Sequence, residues 1–288
     1  MKSGLLYDFV RAFQKNRLAF LAGCILVVII FFAVFAPFFA THNPTYISLD
    51  REQIKLPPTA SHFFGTDNLG RDIWSRMLFG ARISLLIGFL TMIITVILGV
   101  AIGAVSGFYG GKLDFIMMRF VDILLSLPTI FLVIILAAFF KPNFFGIAAI
   151  IGMTSWMRTA RLVRGQFLSL KEEEFVAAAR ALGYSDCRII VFHLLPNVRP
   201  LIIVDATLLI AQAVLLESAL SFLGFGVQPP QFSWGSMLSA SQHIVFLGEA
   251  PWTAFFPGTA IFITVLCFNF FSEGLRDAWD PKLKNIVC

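Results

Sequence analysis

Long uncharged runs constrain this chain more than any other feature. Residues 18–40 hold 23 consecutive positions without a charged side chain. A helix needs about 20 apolar residues to cross the hydrocarbon of a bilayer. Inside that layer backbone N–H and C=O groups find no water, so a spanning segment is either a helix or part of a closed barrel. The runs here are continuous rather than alternating, which excludes the barrel and predicts an all-α membrane protein. Five further runs follow: 83–106, with Thr91 and Thr95 on one face; about 115–140, interrupted early by Arg119 and Asp122; 144–161, the weakest, strictly uncharged only over 142–157; 201–222, carrying Asp205 and Glu217; and about 252–272. Six transmembrane helices are therefore expected. The whole chain agrees: of its 288 residues 58% are hydrophobic and 14% charged, with a mean hydropathy of +0.84. Soluble domains carry about 25% charged residues.

Basic residues near helix ends mark the cytoplasmic side. Arg11, Lys15 and Arg17 precede the first run. Lys112 and Arg119 lie near the turn between the second and third. Arg158, Arg161, Arg164, Lys171, Arg180, Arg188 and Arg199 fall between the fourth and fifth, and Arg276, Lys282 and Lys284 follow the sixth. Residues 224–251 contain no Lys or Arg. Both termini are thus expected inside. The segment 41–82 argues the other way, with Arg51, Lys55, Arg71, Arg76 and Arg82 on what parity makes the outer side. Asp50, Glu52, Asp67 and Asp72 are mixed in, but acids weigh little in this rule. Within that segment residues 70–79 read as a short amphipathic helix, with Ile73, Trp74, Met77 and Leu78 on one face. It either lies on the membrane surface or meets an external partner.

The expected organisation is a cytoplasmic segment 1–17, a first span 18–40, an extracytoplasmic loop 41–82, a five-helix core 83–275 and a cytoplasmic tail 276–288. The core includes a cytoplasmic loop 169–196 and an outer loop 223–251. The first run is too long for the 7–15-residue core of a secretion signal, so it reads as a span.

Other classes are excluded or weakened. A net charge of +5 and a pI near 9.2 would suggest nucleic acid in a soluble protein, but here basic cytoplasmic loops account for them. Cys24, Cys187, Cys267 and Cys288 form no CxxC, and His42, His62, His193 and His243 are scattered without an HExxH, so no disulfide or metal site is read. GFYGGK at 107–112 is glycine-rich but lacks the GxxxxGK[ST] spacing that cradles phosphates, and reads as a tight turn.

The loop 169–196 reads SLKEEEFVAAARALGYSDCRIIVFHLLP. Ser169 and Glu172 have capping-box spacing, and Glu172, Glu173 and Glu174 suit a first helical turn. Phe175, Ala178, Ala179 and Leu182 make an apolar face, and Gly183 stands where helices stop. Ser185 is placed to cap a second helix bearing Ile189, Phe192 and Leu195, limited by Pro196. The small residues Ala177, Ala178 and Ala179 allow another surface to approach closely. Two stiff helices joined at a glycine are either an ordinary loop on the headgroups or a ledge for a cytoplasmic partner.

This segment resembles the loop of binding-protein-dependent ABC importer permeases, patterned EAA, three residues, Gly, nine residues, Ile, one residue, Leu-Pro. Ala178, Ala179, Gly183, Leu195 and Pro196 match it; Ala177 stands at the Glu position and His193 at the Ile position, with Glu174 an acid one turn earlier. FFGTDNLGRDIWSRMLFGARISLLIG at 63–88, LLSLPTIFLVI at 124–134, ESALSFLGFGVQPPQFSWGSML at 217–238 and GLRDAWDPKL at 274–283 resemble the dipeptide/oligopeptide/nickel permeases, and the arrangement of the N-terminal third is similar to their C-type subunit. The resemblance covers nearly everything from about residue 18 onward.

The resemblance implies a type I ABC importer permease fold in the bacterial cytoplasmic (inner) membrane. It implies a second homologous permease, two cytoplasmic ABC ATPase subunits and an extracytoplasmic solute-binding protein as partners. ATP and Mg would be bound in the ATPase subunits, with no cofactor on this chain and no catalysis by it. The cargo would be di- or oligopeptides, with nickel chelates and glutathione-like compounds as alternatives. Glu174, Ala177, Ala178, Ala179, Gly183, His193, Leu195 and Pro196 would couple to the ATPases.

Ionisable groups inside a membrane are costly and tend to face protein or a cavity. Asp122 and Asp205 either line a pathway or tie helices together. Glu217, Ser218 and Ser221 would stand at an outer gate, and Asn269 and Glu273 are weaker candidates. A proton-coupled secondary transporter using Asp122 and Asp205 is the competing class, but it leaves the alanine–glycine loop unexplained. No hydrolytic triad or carboxylate pair at matched depth supports a membrane enzyme.

Overall fold

The computed structural model describes residues 13–279 except 15, 49, 141 and 247. Lys2, Arg11, Lys15, Lys282, Lys284 and Cys288, and with them most of segments 1–17 and 276–288, lie outside the described residues.

Among the described residues the regular structure is helical, apart from an isolated bridge between Thr66 and Asp72, and the segment 40–72 is mostly irregular with a single 3-10 turn at Arg51–Gln53. Helix α1 is Arg17–Val34 and is followed by the short α2, Ala36–Phe39, with Pro37 in its first turn. Asn16 caps α1 by accepting from the Ala19 N–H at 3.2 Å and donates to Asp277 at 3.1 Å. Only a narrow stripe of α1 is buried (Ala19, Ala22, Leu26, Ala33). Large apolar side chains elsewhere point away from the fold; Phe38 is 83% and Phe139 82% exposed. A surface of this kind belongs in lipid.

Helix α3 is Ile73–Tyr109, 37 residues long. This corrects the reading of 70–79 as a separate surface helix. Asp72 caps the helix by accepting from the Ser75 N–H at 2.8 Å, and the helix runs unbroken into the second span. Ile73 and Met77 pack with Ala33, Trp234, Met237 and Ile261 rather than facing headgroups. Gly110 (φ +65°) and Gly111 (φ +57°) then reverse the chain in the left-handed region that glycine tolerates, giving the tight turn expected of GFYGGK.

The third run is two helices, α4 (Gly111–Leu125) and α5 (Thr129–Phe140), bent by 78° at the break. Pro128 supplies the cause: it offers no N–H and disfavours helical backbone in the residue before it. Helix α6 is Phe144–Leu170, capped by Asn143 accepting from the Gly146 N–H at 2.9 Å. Next come α7 (Glu174–Ala181), α8 (Asp186–Ile189), a π-helical turn Ile190–Leu194, α9 (Leu195–Phe222), α10 (Trp234–Phe246) and α11 (Trp252–Trp279).

Among the described residues four helical stretches are long and apolar enough to cross a membrane: Arg17–Val34, Ile73–Tyr109, Asp186–Phe222 and Trp252–Trp279. The bent pair α4–α5 makes a fifth if counted as one span. Helix α6 has the length, but Arg158, Arg161 and Arg164 in its second half lower its hydropathy. The protein is an all-α polytopic membrane protein.

Helices α3 and α6 form the most extensive helix pair. Lipid tails are as apolar as side chains, so helices associate there through close packing and hydrogen bonds. Thr91, Thr95, Gly99, Gly103 and Gly107 recur every four residues along α3 and meet α6. The Thr91 and Thr95 hydroxyls donate to Ala148 O (3.2 Å) and Gly152 O (3.3 Å). A methyl carbon built on Gly103 would lie 2.4 Å from Ala160 O, and one on Gly107 2.6 Å from Phe167 Cβ. Helix α9 packs against α3 and α11, and α1 closes over α11.

Gly103→Ala should therefore lower stability by about 1–3 kcal/mol through overpacking. Gly165→Ala on α6, where the added carbon meets nothing within 4 Å, should be neutral or stabilising by up to about 1 kcal/mol. Thermal unfolding in detergent separates them; equal midpoints would mean that the stripe is not close-packed.

Candidate functional site

The loop 169–196 does form two short helices on a shared base, but its local chemistry differs from the sequence reading. Ser169 lies inside the last turn of α6, because Phe167, fully buried, carries that helix onward to Leu170. The cap of α7 is Glu173, with no side-chain hydrogen bond, so no Ser169–Glu172 capping box forms. Glu174 opens the first turn and is exposed.

The inward face of α7 is Val176 and Ala179, not Phe175, Ala178 and Leu182. Val176 and Ala179 are one turn apart and join one apolar cluster with Ala104 and Phe108 of α3, Val163 and Phe167 of α6, and Ile189, Leu194 and Val198. Ala179 is small enough to let α7 sit close, and Arg180 lies over the Phe108 ring at 5.5 Å. Ala177 and Ala178 are exposed on the opposite side with Leu182 (71%) and, across the turn, Phe192 (70%).

Gly183 stops α7 as expected, at φ +77°. The Gly183 N–H donates to Arg180 O at 2.9 Å and the Tyr184 N–H to Ala179 O at 3.2 Å, the two bonds of a Schellman motif. Ser185 occupies the next N-cap position, with its carbonyl rather than its side chain bonded, to the Ile189 N–H. Pro196 does not end the second helix. It stands in the first turn of α9, where a missing N–H costs nothing, and the π-turn joins α8 to α9. His193 lies in that turn, 5.4 Å from the Tyr184 ring, with its carbonyl accepting from Asn197 at 2.6 Å. Leu195 is half-buried against the cluster. The second ledge helix is thus the direct beginning of a transmembrane helix.

Three acids of the helices, Asp114, Asp122 and Asp205, are held in interhelical ties. Asp122 pairs with Arg161, both side chains about half exposed. Asp205 accepts from the Thr159 hydroxyl at 2.7 Å. Asp114, which the sequence reading passed over, takes Arg164 in a two-point contact at 2.5 and 2.6 Å and accepts from Ser106 at 2.5 Å. The sequence signal was present: acids on a short apolar helix, with arginines one turn apart at 161 and 164 on another.

Glu217 is fully buried. Its Oε1 accepts from Ser221 and Ser233, both at 2.6 Å, and its Oε2 has no partner among the described residues. It thereby fastens the start of α10 to α9. Trp234 adds two bonds to α3, its backbone N–H donating to Ser84 Oγ (3.1 Å) and its ring N–H to Met77 O (3.0 Å). Ser218 is buried and donates to Val214 O (2.8 Å), whereas Asn269 is exposed and donates along its own helix to Val265 O (2.7 Å). The structure brings Glu217 and Ser221 together and leaves Asp122, Asp205 and Asn269 in separate settings.

Four basic residues of 41–82, Lys55, Arg71, Arg76 and Arg82, make structural contacts. Arg71 binds Asp67 at 2.7 Å. Arg76, 6% exposed, donates to Pro44 O at 3.1 Å and lies 4.1 Å over the Phe232 ring. Arg82 donates to Val34 O at 3.0 Å, and Lys55 pairs with Glu249.

Comparison with known proteins gives a consistent result. Residues 99–285 match the family described as binding-protein-dependent transport system inner membrane component. Residues 4–58 match the N-terminal TM domain of oligopeptide transport permease C. The chain is 46% identical over 279 residues to the oligopeptide transport system permease protein OppC of Haemophilus influenzae, covering 96% of this chain and 88% of that protein. It is 42% identical over 277 residues to the protein of that name in Bacillus subtilis, covering 96% and 90%. The dipeptide transport system permease protein DppC of Bacillus subtilis is also 42% identical over 277 residues, covering 96% and 86%.

The Asp114–Arg164 contact is part-buried, so a double-mutant cycle of Asp114→Ala and Arg164→Ala should give a coupling energy of about 1 kcal/mol in unfolding measurements. Strict additivity would show that the pair does not tie α4 to α6.

Proposed function

The chain belongs to the family of binding-protein-dependent transport system inner membrane components, and from that premise we propose how it works within an importer. It is a permease subunit of an ABC-type importer, and ATP hydrolysis belongs to partner subunits. Its cargo is peptides, a reading supported by identities of 42–46% to oligopeptide and dipeptide permease proteins along nearly the whole chain. It pairs with a second, homologous permease, receives cargo from an extracytoplasmic binding protein, and rests on two cytoplasmic ATPases. It lies in the bacterial cytoplasmic membrane with six spans, α6 being the one that falls short in hydropathy. Both termini lie inside, and the outer basic residues at 71, 76 and 82 are spent on internal contacts.

One observation carries the coupling role. The ledge shares a single apolar cluster with α3 and α6 and continues through a π-turn into α9. A push on its outer face reaches three long helices without crossing a flexible joint. Glu174, Ala177 and Ala178 lie on the exposed side toward the ATPase, while Ala179, Gly183, His193, Leu195 and Pro196 set the ledge geometry. Glu217, with Ser221 and Ser218, acts at the outer gate by holding the start of α10. Asp122 and Asp205 end interhelical ties beside the path, and Asn269 faces it.

Leu182→Glu and Phe192→Glu alter exposed side chains, so stability should change by no more than about 0.5 kcal/mol. Co-purification of the ATPase subunits should nevertheless fall at least tenfold, the loss of about one interface hot spot. Unchanged assembly would sink the ledge as the docking surface. The whole reading is tested in liposomes: ATP hydrolysis and peptide uptake should both rise with one loaded binding protein. Uptake driven by a proton gradient without any ATPase partner would overturn it.

A further inference from the structure

His42 and His62 are 20 positions apart and share no sequence motif, yet the fold stacks their rings with centroids 4.5 Å apart and planes at 28°. Both turn Nδ1 toward the same oxygen: His62 Nδ1 lies 2.9 Å and His42 Nδ1 3.9 Å from Asp72 Oδ1. One ligand atom from each of the three residues lies within 4.8 Å of the other two. We infer that this cluster binds one divalent transition-metal ion of the zinc class through His42, His62 and Asp72, with the remaining position open to water.

The donor set fits that class. Two neutral imidazoles and one carboxylate supply nitrogen and oxygen ligands with a net charge of −1, suited to a dication with tetrahedral preference. Metal–ligand bonds of about 2.0–2.1 Å put tetrahedral ligand atoms about 3.3 Å apart. The His62–Asp72 separation is already near that value, and only His42 has to draw in. Its side chain is 42% exposed, which leaves room for that movement and a route for the ion.

The surroundings are built as a supporting shell. Asp72 Oδ2 accepts from the Ser75 N–H (2.8 Å) and the Thr41 hydroxyl (3.5 Å), which leaves Oδ1 to face the rings. The His42 backbone N–H donates to Ser75 Oγ at 3.0 Å, so the first turn of α3 positions both His42 and its carboxylate partner. Thr41 also approaches His42 Nδ1 at 3.0 Å, a contact that metal binding would replace. An ion here staples the chain at 42 and 62 to the start of α3. Metal binding here does not depend on the transport function, so either can fail alone.

The test is zinc binding by the full-length protein in detergent, measured by competition with a chromophoric chelator and by X-ray absorption at the zinc edge. One zinc per chain is expected, with two imidazoles in its shell. His42→Ala and His62→Ala should each weaken binding at least tenfold and remove one imidazole, and the double variant should lose the site. His42→Ala is the safeguard against misfolding, since His42 meets Ser75 through its backbone. Millimolar magnesium should not compete. No stoichiometric zinc in the wild type, or unchanged binding in the double variant, would overturn the assignment.

Discussion

The close approach of α3 and α6 is the contact on which the rest of the molecule depends. Their backbones come together because five small residues repeat every fourth position on α3, and a side chain at Gly99, Gly103 or Gly107 would collide with α6. In lipid no hydrophobic force drives helices together, so this packing and the Thr91 and Thr95 hydrogen bonds supply the adhesion. Helix α9 joins the pair through Thr159 and Asp205, and α4 through Asp114 and Arg164. The ledge is seated on the same pair, against Ala104 and Phe108 of α3 and Val163 and Phe167 of α6.

Charge within the helices is handled by the same economy of contacts. The acids in and beside the apolar runs have partners distant in the chain: Asp114 with Arg164, Asp122 with Arg161, Asp205 with Thr159, Glu217 with Ser233 just before α10. An ionisable group in a membrane is expensive unless it is paired or wet. Here pairing also specifies which helices meet. The second half of α6 bears three arginines, which weakens it as a hydropathic span but makes it the helix that α4 can grip.

The ledge owes its stiffness to short elements with few loose joints. A Schellman turn at Gly183 closes α7, and the π-turn lets α8 flow into α9 without a loop. Two buried residues, Val176 and Ala179, anchor α7, and Arg180 adds a contact over the Phe108 ring, while Ala177 and Ala178 stay exposed. Read from the sequence alone, this face came out rotated. The apolar residues of 175–182 are more numerous than the ones the core uses, and periodicity does not separate an anchor from an exposed apolar residue such as Leu182.

Other departures have similar physical reasons. Residues 70–79 carry the amphipathic spacing of a surface helix, but no proline follows and Gly80 is packed against Trp234 and Met237, so Ile73–Phe79 form the first turns of α3. The third apolar run looked continuous because Pro128 is a single residue in it, and one proline was enough to bend it by 78°. His42 and His62 carried no motif, because their meeting depends on how 41–72 folds back on the start of α3. The sequence by itself determined that this is a helical membrane protein, where its apolar runs lie, and which family pattern its loop 169–196 carries. Those properties are local, set by composition and by spacing along the chain. Only the tertiary structure decided which face of the ledge is anchored, which charges pair and which histidines converge. These depend on residues tens to hundreds of positions apart, brought together by packing that no local pattern encodes.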